Sequence, residues 1–109
     1  GGKNPSLVFA DAPREKLLDT LVRSAFLNSG QICLCGSRIL VERAFYDEFR
    51  EAFVARARAL VVGDPADPAT TTGPVVSKAH FDKVMACIAL AREEGGPAPG
   101  GALPSRCPA

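Results

Sequence analysis

Two short apolar runs, residues 6–10 (Ser-Leu-Val-Phe-Ala) and 37–41 (Ser-Arg-Ile-Leu-Val), stand on either side of one helical stripe. Between them Leu17, Leu18, Leu21, Val22, Ala25 and Phe26 recur at the spacing of a single helix face. Strands joined through a helix cannot form a hairpin. At this spacing they are expected to pair in parallel with a right-handed crossover. The pattern predicts a βαβ unit and therefore the α/β class. Asp11 is expected to cap the helix, Pro13 to sit in its first turn and Glu15 to face the positive end of its dipole. Asn28-Ser29-Gly30 is expected to end it.

A second helix is predicted over residues 44–60. Phe45, Phe49, Ala52, Phe53 and Leu60 fall on its inner face, and Asp47, Glu48, Arg50 and Arg56 on its outer face. Residues 62–74, rich in Gly, Pro, Asp and Thr, read as a loop. A third helix is expected over 78–94, capped by Ser77, with Phe81, Val84, Met85, Ile88 and Ala91 as its stripe. The order βαβ-α-loop-α is a partial parallel sheet with flanking helices, expected to form one partial domain over 1–94. Two strands leave sheet edges unpaired and three helices carry apolar stripes. The isolated piece is therefore expected to be prone to aggregation. From residue 95 to 109 Gly and Pro dominate, a composition too poor in apolar area to offset its ordering entropy, and disorder is expected there.

The feature that carries chemistry is Cys33. The sequence Asn28-Ser29-Gly30-Gln31-Ile32-Cys33-Leu34-Cys35-Gly36 puts a thiol on a short glycine-bracketed turn between helix and strand. Such turns can be stiff and still open to a ligand, as a nucleophile requires. Gly30 and Gly36 let the backbone approach a substrate or take φ > 0. The preceding helix points its negative end at the turn, which disfavours a thiolate, so activation must come from elsewhere, with backbone N–H groups of the turn as candidates. A partly buried structural thiol is the alternative these residues leave open. A metal site from Cys33, Cys35 and His80 is disfavoured, because the one-residue gap is too short for a usual zinc pair and a fourth ligand would have to come from a helix face or the tail.

Gly30-Gln31-Ile32-Cys33 after Phe26-x-Asn28 resembles the catalytic-cysteine motif of the aldehyde dehydrogenases. Gly1-Gly2-Lys3-Asn4-Pro5 resembles the end of that family's Glu-Leu-Gly-Gly-Lys signature, at the expected separation. Val62-Gly63-Asp64-Pro65, Gly73-Pro74 and the 77–84 segment follow in the family's order, and the resemblance covers residues 1 to about 96. Cys35 stands where most members carry Ala, as in the branch acting on 2-aminomuconic and 2-hydroxymuconic semialdehydes.

The resemblance implies oxidation of an aldehyde to a carboxylate, with Cys33 as nucleophile forming a thiohemiacetal and then a thioester. It implies NAD+ as cofactor, with NADP+ left open. Gly1 and Gly2 would pass the nicotinamide, and His80 and Lys83, at i and i+3 on one helix face, would lie near the cofactor ribose. It also implies a homo-oligomer in the cytoplasm. The family's general-base Glu would precede Gly1, and its oxyanion Asn and most of its cofactor sheet would lie further upstream. The chain therefore reads as a piece of a longer enzyme, inactive alone. The alternative is a truncated, non-catalytic remnant of one.

Composition narrows the partners. Of 109 residues 23% are charged and the formal net charge is +1, so no basic face for nucleic acid or anionic membrane is implied. No apolar run approaches the ~20 residues that cross a bilayer. Four cysteines without the spacing of a small secreted framework point to a reducing compartment.

Overall fold

Residues 2–95 are described by a computed structural model. The chain divides into two units, Gly1–Val61 and Val62–Ala109, each treated by itself. Gly1 and residues 96–109 lie outside the described residues, and with them the expectations for Gly1 and for nearly all of the Gly/Pro-rich tail.

The first unit contains β1 (Pro5–Val8), α1 (Arg14–Phe26), β2 (Arg38–Val41) and α2 (Tyr46–Arg58). The strands pair in parallel, in register from Pro5↔Arg38 to Val8↔Val41. The expected βαβ unit is therefore present, with slightly shorter strands than the apolar runs suggest. The fold is a partial α/β unit.

One face of the strand pair carries the core. Val8, Leu21, Phe45 and Phe49 are buried there, with Leu17, Leu18, Ile39, Val41 and Phe53 packed against them. Phe49 stacks on Phe53 at 5.5 Å between centroids, and Phe53 meets Phe26 of α1 at 6.0 Å. An aromatic ladder thus joins the two helices, and each such contact adds to the area it buries. Arg14 lies over the Phe45 ring at 4.4 Å and pairs with Glu48, while Asp19 pairs with Arg56. These pairs are more than half exposed and contribute little. On the opposite face Leu7 and Leu40 are neighbours and remain 65% and 55% exposed.

The start of α1 differs from expectation. Asp11 does not cap it. Helical geometry begins at Arg14, and Pro13 itself, extended at φ −61° and ψ 105°, takes the N-cap position with no side-chain bond. A cap at Asp11 would need Ala12 in the helix, and the residue before a proline is held out of the α region. Ala12 N–H instead closes a turn on the Phe9 carbonyl at 3.1 Å. The helical pattern at 44–60 is also divided, into a 3₁₀ turn Arg43–Phe45 and α2 proper.

The second unit opens with a loop pinned by two aspartates. Asp64 and Asp67 accept from the N–H groups of Ala66 and Ala69, both at 2.8 Å, which are local side-chain-to-backbone turns. α3 (Lys78–Glu93) follows, with Ser77 accepting from the His80 N–H at 3.2 Å as a true N-cap. Its stripe stays open: Phe81 and Val84 are about 40% exposed, with Met85 and Ile88 half-buried.

Candidate active site

Cys33 is exposed, on the turn that enters β2. α1 stops at Phe26, and Asn28, Ser29 and Gly30 then take φ of 52°, 57° and 73° in succession. Two consecutive non-glycine residues in the left-handed region are costly. This short reverse twist turns the chain out of the helix and into the cysteine turn. Asn28-Ser29-Gly30 therefore ends the helix as its residues predict.

The turn closes with the Cys35 N–H on the Ile32 carbonyl at 3.0 Å. Its far side docks onto α1, where Gly36 N–H reaches the Ser24 carbonyl at 3.1 Å. The Leu27 N–H bonds the Arg23 carbonyl, and the Cys35 thiol approaches the Leu27 carbonyl at 3.8 Å. Orphan carbonyls near the helix end are thus engaged by neighbouring residues and by the turn itself. Cys35 is buried at 7% exposure, so the two thiols of Cys33-x-Cys35 have opposite surroundings.

Gly36 is buried, and its surroundings explain the need for glycine. A Cβ there would lie 2.8 Å from Ser24 Oγ and 2.9 Å from Ser6 Oγ. Strand, helix and turn converge on this glycine, and a side chain there would collide with both serines. Gly30 is the bracket that uses left-handed freedom.

Sequence reasoning assigned no role to Asn4, and the structure gives it one. Its side-chain amide donates to the carbonyl of Cys33 at 2.6 Å and to that of Cys35 at 3.1 Å. Its own carbonyl accepts from Arg38 N–H at 3.3 Å. The signal was available: once β1 and β2 pair from Pro5↔Arg38, residue 4 is level with the end of the cysteine turn.

The other predicted residues belong to other elements. Gly2 precedes β1 with φ +87°, and nothing lies within 4 Å of where its Cβ would be, so its backbone is an open strap. His80, half-buried, and Lys83, exposed, share α3 in the second unit. Among the described residues no group of three or more His, Cys, Asp or Glu is arranged to hold a metal ion, and no helix is long and apolar enough to cross a membrane.

The sequence matches the model of the aldehyde dehydrogenase family over residues 1–107, past the point where the motifs end. It is 50% identical over 95 residues to a 2-aminomuconic semialdehyde dehydrogenase of Bos taurus, covering 87% of this chain and 20% of the relative. It is 48% identical over 95 residues to a 2-aminomuconic 6-semialdehyde dehydrogenase of a Pseudomonas species, covering 87% of this chain and 19% of that one. The fold superposes on the crystal structure of a Staphylococcus aureus betaine aldehyde dehydrogenase in complex with NAD+ with a TM-score of 0.81 at 37% identity, over 87% of this chain and 19% of that structure. The chain thus spans about a fifth of the length of the relatives it matches.

Proposed function

This chain belongs to the aldehyde dehydrogenase family, and on that footing we propose that Cys33 is the nucleophile of a protein oxidising an aldehyde to a carboxylate. The observation that carries the reading is the exposed thiol on a turn whose backbone is tied on both sides. Cys33 Sγ adds to the aldehyde carbon and the carbonyl oxygen becomes an oxyanion, giving a thiohemiacetal. Backbone N–H groups of the turn are the donors that would face that oxyanion. Loss of hydride leaves a thioester, and water cleaves it to the carboxylate and the free thiol.

NAD+, when bound, takes up the hydride. Gly2 fits a place beside it, since a left-handed backbone with open space above it admits a flat ring. His80 and Lys83 are the residues of α3 suited to bond a ribose, each with donors and neither fully buried. The relatives named for muconic semialdehydes support an unsaturated dicarboxylic semialdehyde as substrate. A homo-oligomer in the cytoplasm completes the reading.

Turnover is assigned to the full-length natural product bearing this segment. Its intact mass tests this: a species several times heavier than 11.4 kDa supports a working enzyme. A species of 11.4 kDa favours the second reading, a non-catalytic remnant, which the one-fifth coverage of the relatives motivates. With the heavier species, 2-hydroxymuconic semialdehyde and NAD+ should yield NADH one for one with carboxylate. No NADH formation from that or from simple aldehydes would sink the enzymatic reading.

A further inference from the structure

We propose that Asn4 is a positioning residue for Cys33, its side-chain amide fixing the peptide planes that present the thiol. This rests on the reading of Cys33 as nucleophile and adds a residue to it. Both N–H bonds of one amide are used, on carbonyls 29 and 31 positions away in sequence. A trans peptide is planar, so directing a carbonyl at Asn4 directs the following N–H the opposite way. That is observed at the second plane: the Cys35 carbonyl faces Asn4 and the Gly36 N–H faces Ser24. The same rule turns the Leu34 N–H away from Asn4 once the Cys33 carbonyl is held there. With Ile32 O accepting from Cys35, the carbonyls on either side of Cys33 are both engaged.

The clamp is itself held in place. Pro5 restricts the backbone of Asn4 to extended geometry, and the Asn4 carbonyl is bonded to Arg38 as β2 begins. Asn4 is half-buried, so little of its freedom remains to be lost when the turn is engaged by substrate. The chemistry required is specific: two donors on one short arm. An aspartate has the same shape and no donor, and would set a carboxylate against two carbonyl oxygens.

The test uses the full-length product with Asn4→Ala and Asn4→Asp, kcat being divided by the amount of reactive Cys33 found by peptide-resolved alkylation of the material that elutes with the native size and melts cooperatively. That division separates positioning from folding, because a merely structural residue lowers the amount of native material and leaves kcat per thiol within it alone. Both variants are expected to lose about 10- to 100-fold in kcat per reactive Cys33, with KM for the aldehyde little changed and Asp no better than Ala. Asn4→Ser, with one donor, should fall between them and wild type. Wild-type kcat per thiol in Asn4→Asp would overturn the proposal. So would variants that differ from wild type only in the amount of native material. Cys33→Ala run alongside separates the two ideas. If it keeps turnover, the nucleophile reading fails and takes the clamp's role with it; if it abolishes turnover while Asn4→Asp keeps the wild-type kcat per thiol, the proposal for Asn4 alone fails.

Discussion

The two ends of the β1–β2 pair are both tied by a side chain, and the ties are of opposite kinds. At the amino end Asn4 donates to two carbonyls of the cysteine turn. At the carboxyl end Glu42 accepts from the Ala10 N–H at 2.8 Å, and its own N–H bonds the Val8 carbonyl at 2.9 Å. An open apolar hollow lies beside that second end, lined by Leu7, Val8, Phe9, Leu40, Val41 and Glu42. Ligands of open parallel sheets usually gather at the carboxyl ends of strands. Here the exposed thiol stands at the amino end, where backbone donors and a stiffened turn are found, and the hollow holds no nucleophile. On the proposed reading of Cys33, site chemistry follows oriented peptide groups rather than the apolar hollow.

The comparison breaks most visibly at Cys33. Cys33→Ala in the full-length product is expected to lower kcat about 10⁴-fold or more, the scale of removing a covalent nucleophile. Circular dichroism and the thermal midpoint should stay unchanged, since the side chain is exposed and touches no core residue. Residual turnover near wild type would shift attention to the other end of the strands.

Phe49→Ala tests what both ends share. Phe49 is 4% exposed, stacks on Phe53 and meets Phe45 at a tilt beneath the strands. Truncating such a ring typically costs about 3–5 kcal/mol. Denaturant unfolding should show that loss, and kcat per reactive thiol should stay near wild type in whatever fraction remains folded. A selective loss of activity with stability intact would mean that the core, not the turn, sets the geometry of the site.

Much of this arrangement was legible beforehand, and the exceptions have physical causes. The stripe from Leu17 to Phe26 and the runs beside it fixed a parallel pair, because helical and strand periods cannot be confused over that length. Cys33 stood out by its bracketing glycines and its motif. Asp11 misled because acidic residues before a helix are usual caps, whereas the Ala12-Pro13 pair excludes the required backbone. Asn4 was invisible to local pattern, since its partners lie 29 and 31 residues away and only strand register brings them together. The packing role of Gly36 was equally hidden. Crowding by Ser24 and Ser6 is a tertiary fact that no spacing encodes.

Gly36→Ala sharpens the comparison from the amino end. Its Cβ would press on two serine oxygens at under 3.0 Å, and both belong to side chains that can rotate. Overpacking of this kind costs about 1–3 kcal/mol. Relief by backbone movement would displace the turn that begins four residues earlier, at Ile32, so kcat per reactive Cys33 should fall along with the midpoint. Pairing it with Ser24→Ala, which removes one of the two clashing oxygens, should recover part of both losses. Recovery of stability without activity would mean that the turn's position is not what Gly36 protects.

Glu42→Ala is the matching change at the carboxyl end and the smallest expected effect. It removes the acceptor for the Ala10 N–H. The bond is exposed, so water replaces it, and the loss should be about 0.5–1.5 kcal/mol. Glu42→Gln keeps an acceptor oxygen and should lose less. Neither change touches the turn of Cys33, because the carboxylate engages the residues that follow β1 rather than those that precede it. Turnover per reactive Cys33 should therefore equal wild type in both, while Asn4→Ala, a single side-chain tie of comparable size at the other end, should not. If Glu42→Ala lowered turnover as much as Asn4→Ala at matched stability, the two ends would be equivalent, and the thiol would depend on the rigidity of the whole strand pair rather than on its own clamp.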